Sequence, residues 1–171
     1  LEFRRVLFRS PAGTILYVID KERLGKSGRK LPTYMDLQAH IDKDSMYNTP
    51  PVFAVYASML TLRWIKANGG LKGMEDRNRA KQELFYGELD RNGLFHGHSE
   101  PASRSWMNPT FRLNDDSMAA EFDKMWKEAG ISGIAGHRSV GGYRASMYNA
   151  LPIESVQVLV DVMKEFERKK G

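Results

Sequence analysis

A pair of glycines, Gly141 and Gly142, constrains the fold of this chain more than any other feature of its sequence. Adjacent glycines allow the backbone to take positive φ, to turn tightly and to approach a ligand closely. After the pair, apolar and polar residues alternate over residues 143–147, which predicts a β-strand with Arg144 on one face. The apolar residues expected on the opposite face are Tyr143, Ala145 and Met147.

The residues around the glycine pair carry positive charge and hydrogen-bond donors. His137 and Arg138 precede the turn and Arg144 follows it. A guanidinium group on a rigid strand can hold a carboxylate or a phosphate through two parallel hydrogen bonds. The stretch therefore indicates an anion-binding site. A surface hairpin with ordinary solvated arginines is the alternative that this pattern alone leaves open.

Three helices are predicted in the second part of the chain. The first covers residues 74–90, the second is capped by Asp115 or Asp116 and ends at Gly130, and the third begins at Pro152. Apolar positions three and four residues apart define one buried face on each helix. These positions are Ala80, Leu84, Phe85 and Leu89 in the first helix, Met118, Phe122, Met125, Trp126 and Ala129 in the second, and Ile153, Val156, Val160, Met163 and Phe166 in the third.

Short strands are predicted between these helices, over residues 103–113 and 131–135, in addition to the strand that follows the glycine pair. Pro109 has no N–H group to donate, so it indicates a sheet edge or a bulge. Helices packed on one side of a small sheet give the fold class α+β.

His96 and His98 would present two imidazoles on one face of a strand, as a metal site needs. The neighbouring sequence offers no carboxylate and no third histidine at a supporting spacing. We therefore expect a loop at these residues, and no bound metal.

The first part of the chain predicts elements without partners. Residues 15–19 are a run of β-favouring residues, typical of a strand covered on both faces, and residues 26–30 indicate an exposed loop. A long apolar helix follows residues 45–51, with Thr49 as its N-cap and Pro50 in its first position. Apolar residues cover almost its whole circumference, so we expect most of it to be buried. One strand and one buried helix indicate part of a larger domain.

Composition limits the classes of function. The net charge of +5 comes largely from Arg4, Arg5, Arg9 and residues 168–170, and these could serve a non-catalytic basic binding or interaction module. They do not alternate with aromatic residues as in nucleic-acid stacking sites. The absence of cysteine excludes disulfides and thiolate zinc sites and agrees with a cytoplasmic location. Charges interrupt every long apolar run, so no membrane span is expected.

Two segments resemble the carboxy-terminal motifs of the phosphoserine aminotransferase family, whose members are pyridoxal-phosphate enzymes of fold type I. They are residues 45–51, which read SMYNTPP, and residues 136–150, which read GHRSVGGYRASMYNA. Residues 64–70 (WIKANGG) and 104–108 (RSWMN) agree as well. The resemblance covers residues 11–171 and corresponds to roughly the second half of the family's chain.

The resemblance implies site residues, a cofactor and a partner. In the family, the residues matching Asn48 and Thr49 reach across a homodimer interface to the phosphate of pyridoxal 5'-phosphate in the neighbouring subunit. An amide, a hydroxyl and a helix N-terminus together suit a phosphate dianion, although Thr49 could equally be a simple cap. The residues matching His137 and Arg138 hold the substrate's phosphate or distal carboxylate, and the one matching Arg144 holds the α-carboxylate.

The implied reaction converts 3-phosphohydroxypyruvate and glutamate into phosphoserine and 2-oxoglutarate, in the cytoplasm. The reaction belongs to serine biosynthesis. By the same resemblance, the enzyme also accepts the substrate of the phosphohydroxythreonine pathway, which leads to pyridoxal phosphate. Both amino acids carry an α-carboxylate and a second anion, which two guanidinium groups and an imidazole can bind. No nucleic acid or membrane partner is expected.

The sequence departs from the family at its beginning. Leu7 stands where the family has the lysine that forms a Schiff base with the cofactor, and leucine has no amine. We therefore expect residues 1–10 to be a non-native leader and the chain to be inactive alone, without any catalytic residue of its own. Residues 11–73 would be a remnant of the large cofactor-binding domain, and residues 74–171 the carboxy-terminal small α+β domain.

Overall fold

The computed structural model describes residues 18–26, 28–136 and 141–171. The chain divides into two compact units, residues 1–67 and 68–171. Identification of the first part as a remnant of a cofactor-binding domain stays a prediction.

The first unit has little regular structure before its long helix. Helix α1 spans Leu37–Ile41, and its N-cap Asp36 accepts a hydrogen bond from the N–H of Gln38 at 3.0 Å. Single turns of 3-10 helix lie at Lys21–Arg23 and Thr33–Met35. The loop expected at residues 26–30 is confirmed at its described positions, which are exposed.

The strand expected at residues 15–19 is not formed where it can be described. Val18 and Ile19 have no strand pairing, and Val18 is 91% exposed. A β-favouring run forms a strand only where a neighbour satisfies its backbone groups, and no described residue of this unit lies in a strand. Residues 1–17, including the expected leader, lie outside the described residues.

Helix α2 spans Val52–Ala67 and is mostly exposed, which makes the expectation of burial wrong. Ala54 is its one buried residue, and Phe53 is 69% exposed. An apolar circumference predicts that some surface covers a helix, without saying where that surface comes from. Neither α2 nor any other helix in the described part of the chain combines the length and apolarity needed to cross a membrane.

Helix α2 also begins later than expected. The first intrahelical bond joins the N–H of Val55 to the carbonyl oxygen of Pro51 at 3.1 Å. A residue that precedes a proline is sterically excluded from the helical region, so Pro51 keeps Pro50 out of the helix. Thr49 is therefore not the N-cap, and Pro50 is not the first helical residue.

Helix α3 opens the second unit and spans Gly70–Arg91, a turn longer at its start than predicted. Gly69 takes a φ of 88° and separates it from α2. Ala80, expected on the inner face, is exposed, and its neighbour Lys81 is buried instead. Alanine tolerates either environment and thus carries little weight in a face assignment. The buried residues of α3 are Met74, Asn78, Lys81, Phe85, Tyr86, Glu88 and Leu89.

Three short antiparallel strands form one sheet in the order β1-β2-β3. They span Phe95–Gly97, Thr110–Leu113 and Tyr143–Arg144. Cross-strand neighbours share a face of an antiparallel sheet. The core face carries the pairs Phe95 with Leu113 and Phe111 with Tyr143.

The sheet is smaller than predicted because two expected strands are shortened. Within residues 103–113 the ladder begins only after Pro109, which has no N–H to donate. Residues 131–135 contribute a single bridge, from Ala135 to Tyr143. Gly133 takes a φ of 74°, which breaks the extended conformation that a strand needs.

Helix α4 spans Ala119–Glu128 and follows a 3-10 turn at Asp116–Met118. Asp115 caps that turn, since its carboxylate accepts a hydrogen bond from the N–H of Ser117 at 2.9 Å. Gly130 takes a φ of 76° after the helix. The terminal glycine is confirmed, whereas Asp115 caps the 3-10 turn that leads into α4, and Met118 is the N-cap of α4 itself.

Helix α5 spans Ile153–Lys170 directly after Pro152, as predicted. Two residues assigned to inner faces, Ala129 after α4 and Ile153 at the start of α5, are exposed. Both lie at helix ends, where the face extends past the core. The buried residues of α5 are Val156, Leu159, Val160, Val162, Met163 and Phe166.

An aromatic cluster joins the three helices to the sheet. Phe122 of α4 is fully buried, and its ring centroid lies 5.0 Å from those of Phe95 and Tyr143 and 5.2 Å from that of Phe166. Phe85 of α3 contacts the same sheet face through the ring of Phe111 at 5.3 Å. The predicted α+β fold, with helices against one face of a small sheet, is confirmed.

Candidate functional site

Strand β3 places Arg144 on the face of the sheet that is turned away from the core. Burial alternates as predicted, with Tyr143, Ala145 and Met147 buried and Arg144 half-buried opposite Thr110 of β2. Nε of Arg144 is buried yet has no hydrogen-bond partner among the described residues. A buried donor without an acceptor lowers the free energy of unfolding by about 1–3 kcal/mol. An anionic ligand would supply the acceptor that this donor lacks.

The glycine pair before Arg144 forms a tight turn. Gly141 and Gly142 have φ values of 72° and 65°, as the sequence predicted, and the N–H of Gly136 donates to the carbonyl oxygen of Gly142 at 2.8 Å. A Cβ on Gly142 would lie 2.8 Å from the carbonyl oxygen of Phe111. The backbone here packs too closely for any side chain, which fixes where β3 begins.

Tyr143 ties β3 to helix α4. Oδ1 of Asp123 accepts hydrogen bonds from the hydroxyl of Tyr143 and from Nε1 of Trp126, both at 3.0 Å. Burial, and then the hydrogen bond to the carboxylate, raise the pKa of Tyr143. The hydroxyl therefore remains a donor at neutral pH, and the residue beside Arg144 is held from the core side.

Helix α3 contributes a buried lysine that the sequence prediction missed. Lys81 is 0% exposed, and its Nζ donates to the carbonyl oxygens of Tyr148 at 2.7 Å, Met147 at 2.9 Å and Leu151 at 3.2 Å. Burial, with a smaller contribution from the positive charge of Arg77, lowers the pKa of Lys81 to about 8. The ammonium group thus lies against the segment that follows β3.

A signal for Lys81 was present in the sequence. Met74, Asn78, Lys81 and Phe85 are spaced by four, three and four residues, which is the spacing of one helix face. The two polar residues in this stripe both contact residues 147–151, because Nδ2 of Asn78 donates to Oδ1 of Asn149 at 2.7 Å. A polar residue inside an apolar stripe indicates a buried partner.

Asn48 and Thr49 belong to the first unit, where both are exposed and precede helix α2. The N–H groups of residues 52–54 come before the first intrahelical bond, so they have no acceptor within the helix. An amide, a hydroxyl and backbone N–H groups that have no acceptor within the helix form a suitable donor set for a phosphate. These residues therefore fit the phosphate end of the cofactor that the sequence resemblance implies.

Three sequence-based assignments lie outside the described residues. They concern His137 and Arg138, expected to bind the second anion of the substrate, and Leu7, at the position of the family's lysine. Their assigned roles stay predictions.

The two histidines of the possible metal motif are exposed. His96 lies in β1, so the expectation of a loop is wrong there, and its Nδ1 lies 2.6 Å from Oδ1 of Asn114. The strand forms because β2 pairs with it. Turn-forming residues lie on both sides of residues 95–97, so the local sequence favoured a loop and did not predict the pairing. Within the described ranges, His, Cys, Asp and Glu side chains form no group of three or more that could hold a metal ion.

Comparison with known proteins gives a consistent result. The family model described as aminotransferase class-V matches residues 10–159. A curated phosphoserine aminotransferase from Flavobacterium psychrophilum is 60% identical over 159 residues, which are 93% of this chain and 45% of that protein. The chain thus spans about half the length of the curated relatives that it matches.

Solved structures agree with the sequence comparison. The phosphoserine aminotransferase from Bacillus circulans subsp. alkalophilus has a TM-score of 0.76 at 44% identity, covering 82% of this chain and 39% of that one. A phosphoserine aminotransferase from Trichomonas vaginalis, described as bound to PLP, has a TM-score of 0.70 at 37% identity, covering 78% of this chain and 39% of that one.

Proposed function

The chain belongs to the class-V aminotransferase family, and from this we propose that it is part of a phosphoserine aminotransferase. The complete enzyme would convert 3-phosphohydroxypyruvate and glutamate into phosphoserine and 2-oxoglutarate. The name that these curated relatives share, phosphoserine aminotransferase, supports this substrate class. By resemblance, the analogous phosphorylated substrate of pyridoxal phosphate biosynthesis is a second substrate of the same enzyme.

The observation that carries the proposal concerns one donor of the Arg144 guanidinium. Its Nε is buried without an acceptor among the described residues, on a strand held by the turn at Gly142 and by the hydroxyl of Tyr143. A guanidinium fixed in this way is suited to a carboxylate, which accepts two parallel hydrogen bonds. Arg144 would hold the α-carboxylate common to phosphoserine and glutamate, while His137 and Arg138 would hold the second anion.

Pyridoxal 5'-phosphate is the cofactor that we propose for the complete enzyme. When bound, it accepts the amino group and stabilises negative charge at the substrate's α-carbon. Asn48 and Thr49 would hold its phosphate through the amide, the hydroxyl and the backbone donors that begin α2. We infer that they do so across the interface of a cytoplasmic homodimer. With Leu7 at the position of the family's lysine, we expect no turnover by this chain alone.

The alternative, a basic binding module, has less support. The cations at the end of α5 are paired, since Arg168 contacts Glu165 at 2.7 Å and Lys170 contacts Glu121 at 2.7 Å. Paired cations offer a weaker field to an external polyanion. Arg4, Arg5 and Arg9 lie outside the described residues. The family match favours the enzyme.

The test is substitution of Arg144 in a complete enzyme that contains residues 11–171 of this chain and has the family's lysine at the position of Leu7. Arg144→Gln removes the charged fork and should raise KM for glutamate by roughly 10- to 100-fold, since hydrogen bonds to a charged group contribute about 1.5–3 kcal/mol. Arg168→Gln, which removes an exposed and paired guanidinium, is the matched control and should leave KM unchanged. Equal KM values for the Arg144→Gln variant and the unmodified enzyme would refute the assignment.

A further inference from the structure

We propose that Lys81 is a positioning residue for Arg144, because it fixes the backbone that follows β3 and so sets the direction of the guanidinium. The inference rests on the proposed function, since it needs Arg144 to bind a substrate carboxylate.

The first step is the geometry of the ammonium group. A lysine has three N–H donors, and the three carbonyl oxygens within reach of Lys81 all come from the segment of residues 147–151. That segment begins three residues after Arg144 and has no regular secondary structure before α5 begins at Ile153. Lys81 therefore supplies donors to backbone acceptors that no helix or strand satisfies.

The second step is how the remaining backbone of this segment is held. The N–H of Ala145 donates to the carbonyl oxygen of Pro109 at 3.0 Å, and the N–H of Met147 donates to that of Met107 at 2.8 Å. The N–H groups after β3 are thus held from the β2 side. The carbonyl groups at the end of the same stretch are held from α3, by Lys81.

The third step concerns Arg144 itself. No described residue accepts a hydrogen bond from its Nε, so that atom does not anchor the side chain. Without an anchor at Nε, the direction of the guanidinium depends on where the backbone of β3 places the side chain. A shift of the segment after β3 would be transmitted to Arg144 through residues 145 and 146, because β3 consists of only two residues.

The fourth step is the reason for a charged residue at this place. Burial of an ammonium group is unfavourable unless hydrogen bonds compensate it, so an apolar side chain would be the simpler filling for this space. Charge-assisted hydrogen bonds are shorter and stronger than neutral ones. Lys81 uses its charge to hold three carbonyl groups at once, and Asn78, one turn earlier in α3, adds a contact to Asn149.

The experiment compares Lys81→Met, Lys81→Arg, Arg144→Gln and the two double variants that combine Arg144→Gln with Lys81→Met or with Lys81→Arg. All are made in the complete enzyme that has the family's lysine at the position of Leu7. Lys81→Met keeps the length of the stem and removes all donors. We expect it to raise KM for glutamate about 10-fold with a smaller change in kcat, and Lys81→Arg to raise KM less. In the Arg144→Gln background, Lys81→Met should have no further effect on KM, since residues that act through one another are not additive.

A matched control separates positioning from general loss of stability. Val160→Ala removes methyl groups from a buried position of α5, and it should lower stability while leaving KM for glutamate unchanged. If Lys81→Met does not fold, Lys81→Arg decides. Lys81→Arg should raise KM for glutamate on its own and should cause no further increase when it is combined with Arg144→Gln.

The outcomes distinguish the two proposals. An unchanged KM in Arg144→Gln refutes the proposed function itself. A raised KM in Arg144→Gln, together with either an unchanged KM in Lys81→Met or effects that multiply in the double variant, overturns the role of Lys81 and leaves the proposed function standing.

Discussion

Arg104 and Asp90 form a two-point ion pair, in which Nη1 and Nη2 of the guanidinium each donate to one carboxylate oxygen at 2.6 Å. The guanidinium carbon also lies 4.7 Å from the ring centroid of Tyr86, and the side chain of Arg104 is largely buried. This pair attaches the chain before β2 to helix α3. It thereby holds the segment that contains Met107 and Pro109, which accept the backbone hydrogen bonds of the residues after β3.

Asp90→Ala should lower the free energy of unfolding by about 1–2 kcal/mol, because it leaves a mostly buried guanidinium without its carboxylate. The exposure of Asp90 to solvent limits the loss. Asp76→Ala, which removes an exposed carboxylate that pairs with Lys72 along α3, should cost less than about 0.5 kcal/mol. Urea denaturation at neutral pH measures both values, and equal losses would contradict the distinction.

The same pair predicts a dependence on acid. The hydrogen bonds from Arg104 lower the pKa of Asp90 below its ordinary value of 3.8. The stabilisation is therefore fully present above that ordinary value and is lost as the pH falls through the lowered pKa in the folded state. The difference in unfolding free energy between the unmodified chain and Asp90→Ala should shrink below about pH 4. A difference that stays constant down to pH 2 would refute the linkage.

Two phenylalanines test the difference between predicted and observed burial. Phe122→Ala should lower the unfolding free energy by about 3–5 kcal/mol, because its ring is fully buried against the rings of Phe95, Tyr143 and Phe166. Phe53→Ala removes the same side chain from the exposed surface of α2 and should cost less than about 0.5 kcal/mol. Thermal unfolding of the two variants decides, and a large loss for Phe53→Ala would mean that α2 is covered.

Sequence periodicity predicted the second unit well and the first unit poorly. The stripes around Phe85, Phe122 and Phe166 matched buried helix faces because each stripe finds its partners within the described residues. The apolar circumference of α2 carried an equally strong signal, yet most of the helix is exposed. A hydrophobic pattern reports the need for a partner surface, and the presence of that surface is a tertiary property.

Sequence reasoning likewise predicted some features of the candidate site and missed others. The alternation after Gly142 correctly placed Arg144 on the face opposite the core, since strand periodicity is local. The helical stripe from Met74 to Phe85 indicated a buried partner for Lys81, but its carbonyl partners lie about seventy residues further along the chain, so the local pattern could not identify them. The start of α2 was misplaced because the restriction that Pro51 imposes on Pro50 outweighed the capping preference of Thr49.

The glycine turn before β3 should distinguish two neighbouring substitutions. Gly141→Ala places its methyl group more than 4 Å from any described residue that is not its chain neighbour, and it should cost about 1–2 kcal/mol, from positive φ alone. Gly142→Ala adds a Cβ only 2.8 Å from the carbonyl oxygen of Phe111, so it should cost more and displace β3. Urea denaturation gives the two costs, and the amide chemical shifts of Tyr143 and Arg144 report displacement of the strand. Equal costs with unchanged shifts would contradict the close packing.

Lys81 should give the chain a stability component that increases at alkaline pH. Its pKa is about 8 in the folded state and 10.5 in the reference state. Between these values the unfolded chain binds a proton that the folded chain has released, so the free energy of unfolding rises with pH. The difference between the two pKa values limits this rise to about 3 kcal/mol. The three carbonyl groups stabilise the charged form and so reduce the rise below that limit.

The comparison that isolates this component is between the unmodified chain and Lys81→Met at pH 7 and pH 10. The stability advantage of the unmodified chain should be larger at pH 10, since a neutral amine keeps donors for the carbonyl oxygens of Met147 and Tyr148 without the cost of a buried charge. Lys124→Met, which removes an exposed ammonium group from α4, controls for the change in net charge. An advantage that is the same at both pH values would mean that Lys81 stays charged throughout, with the carbonyl groups compensating its burial in full.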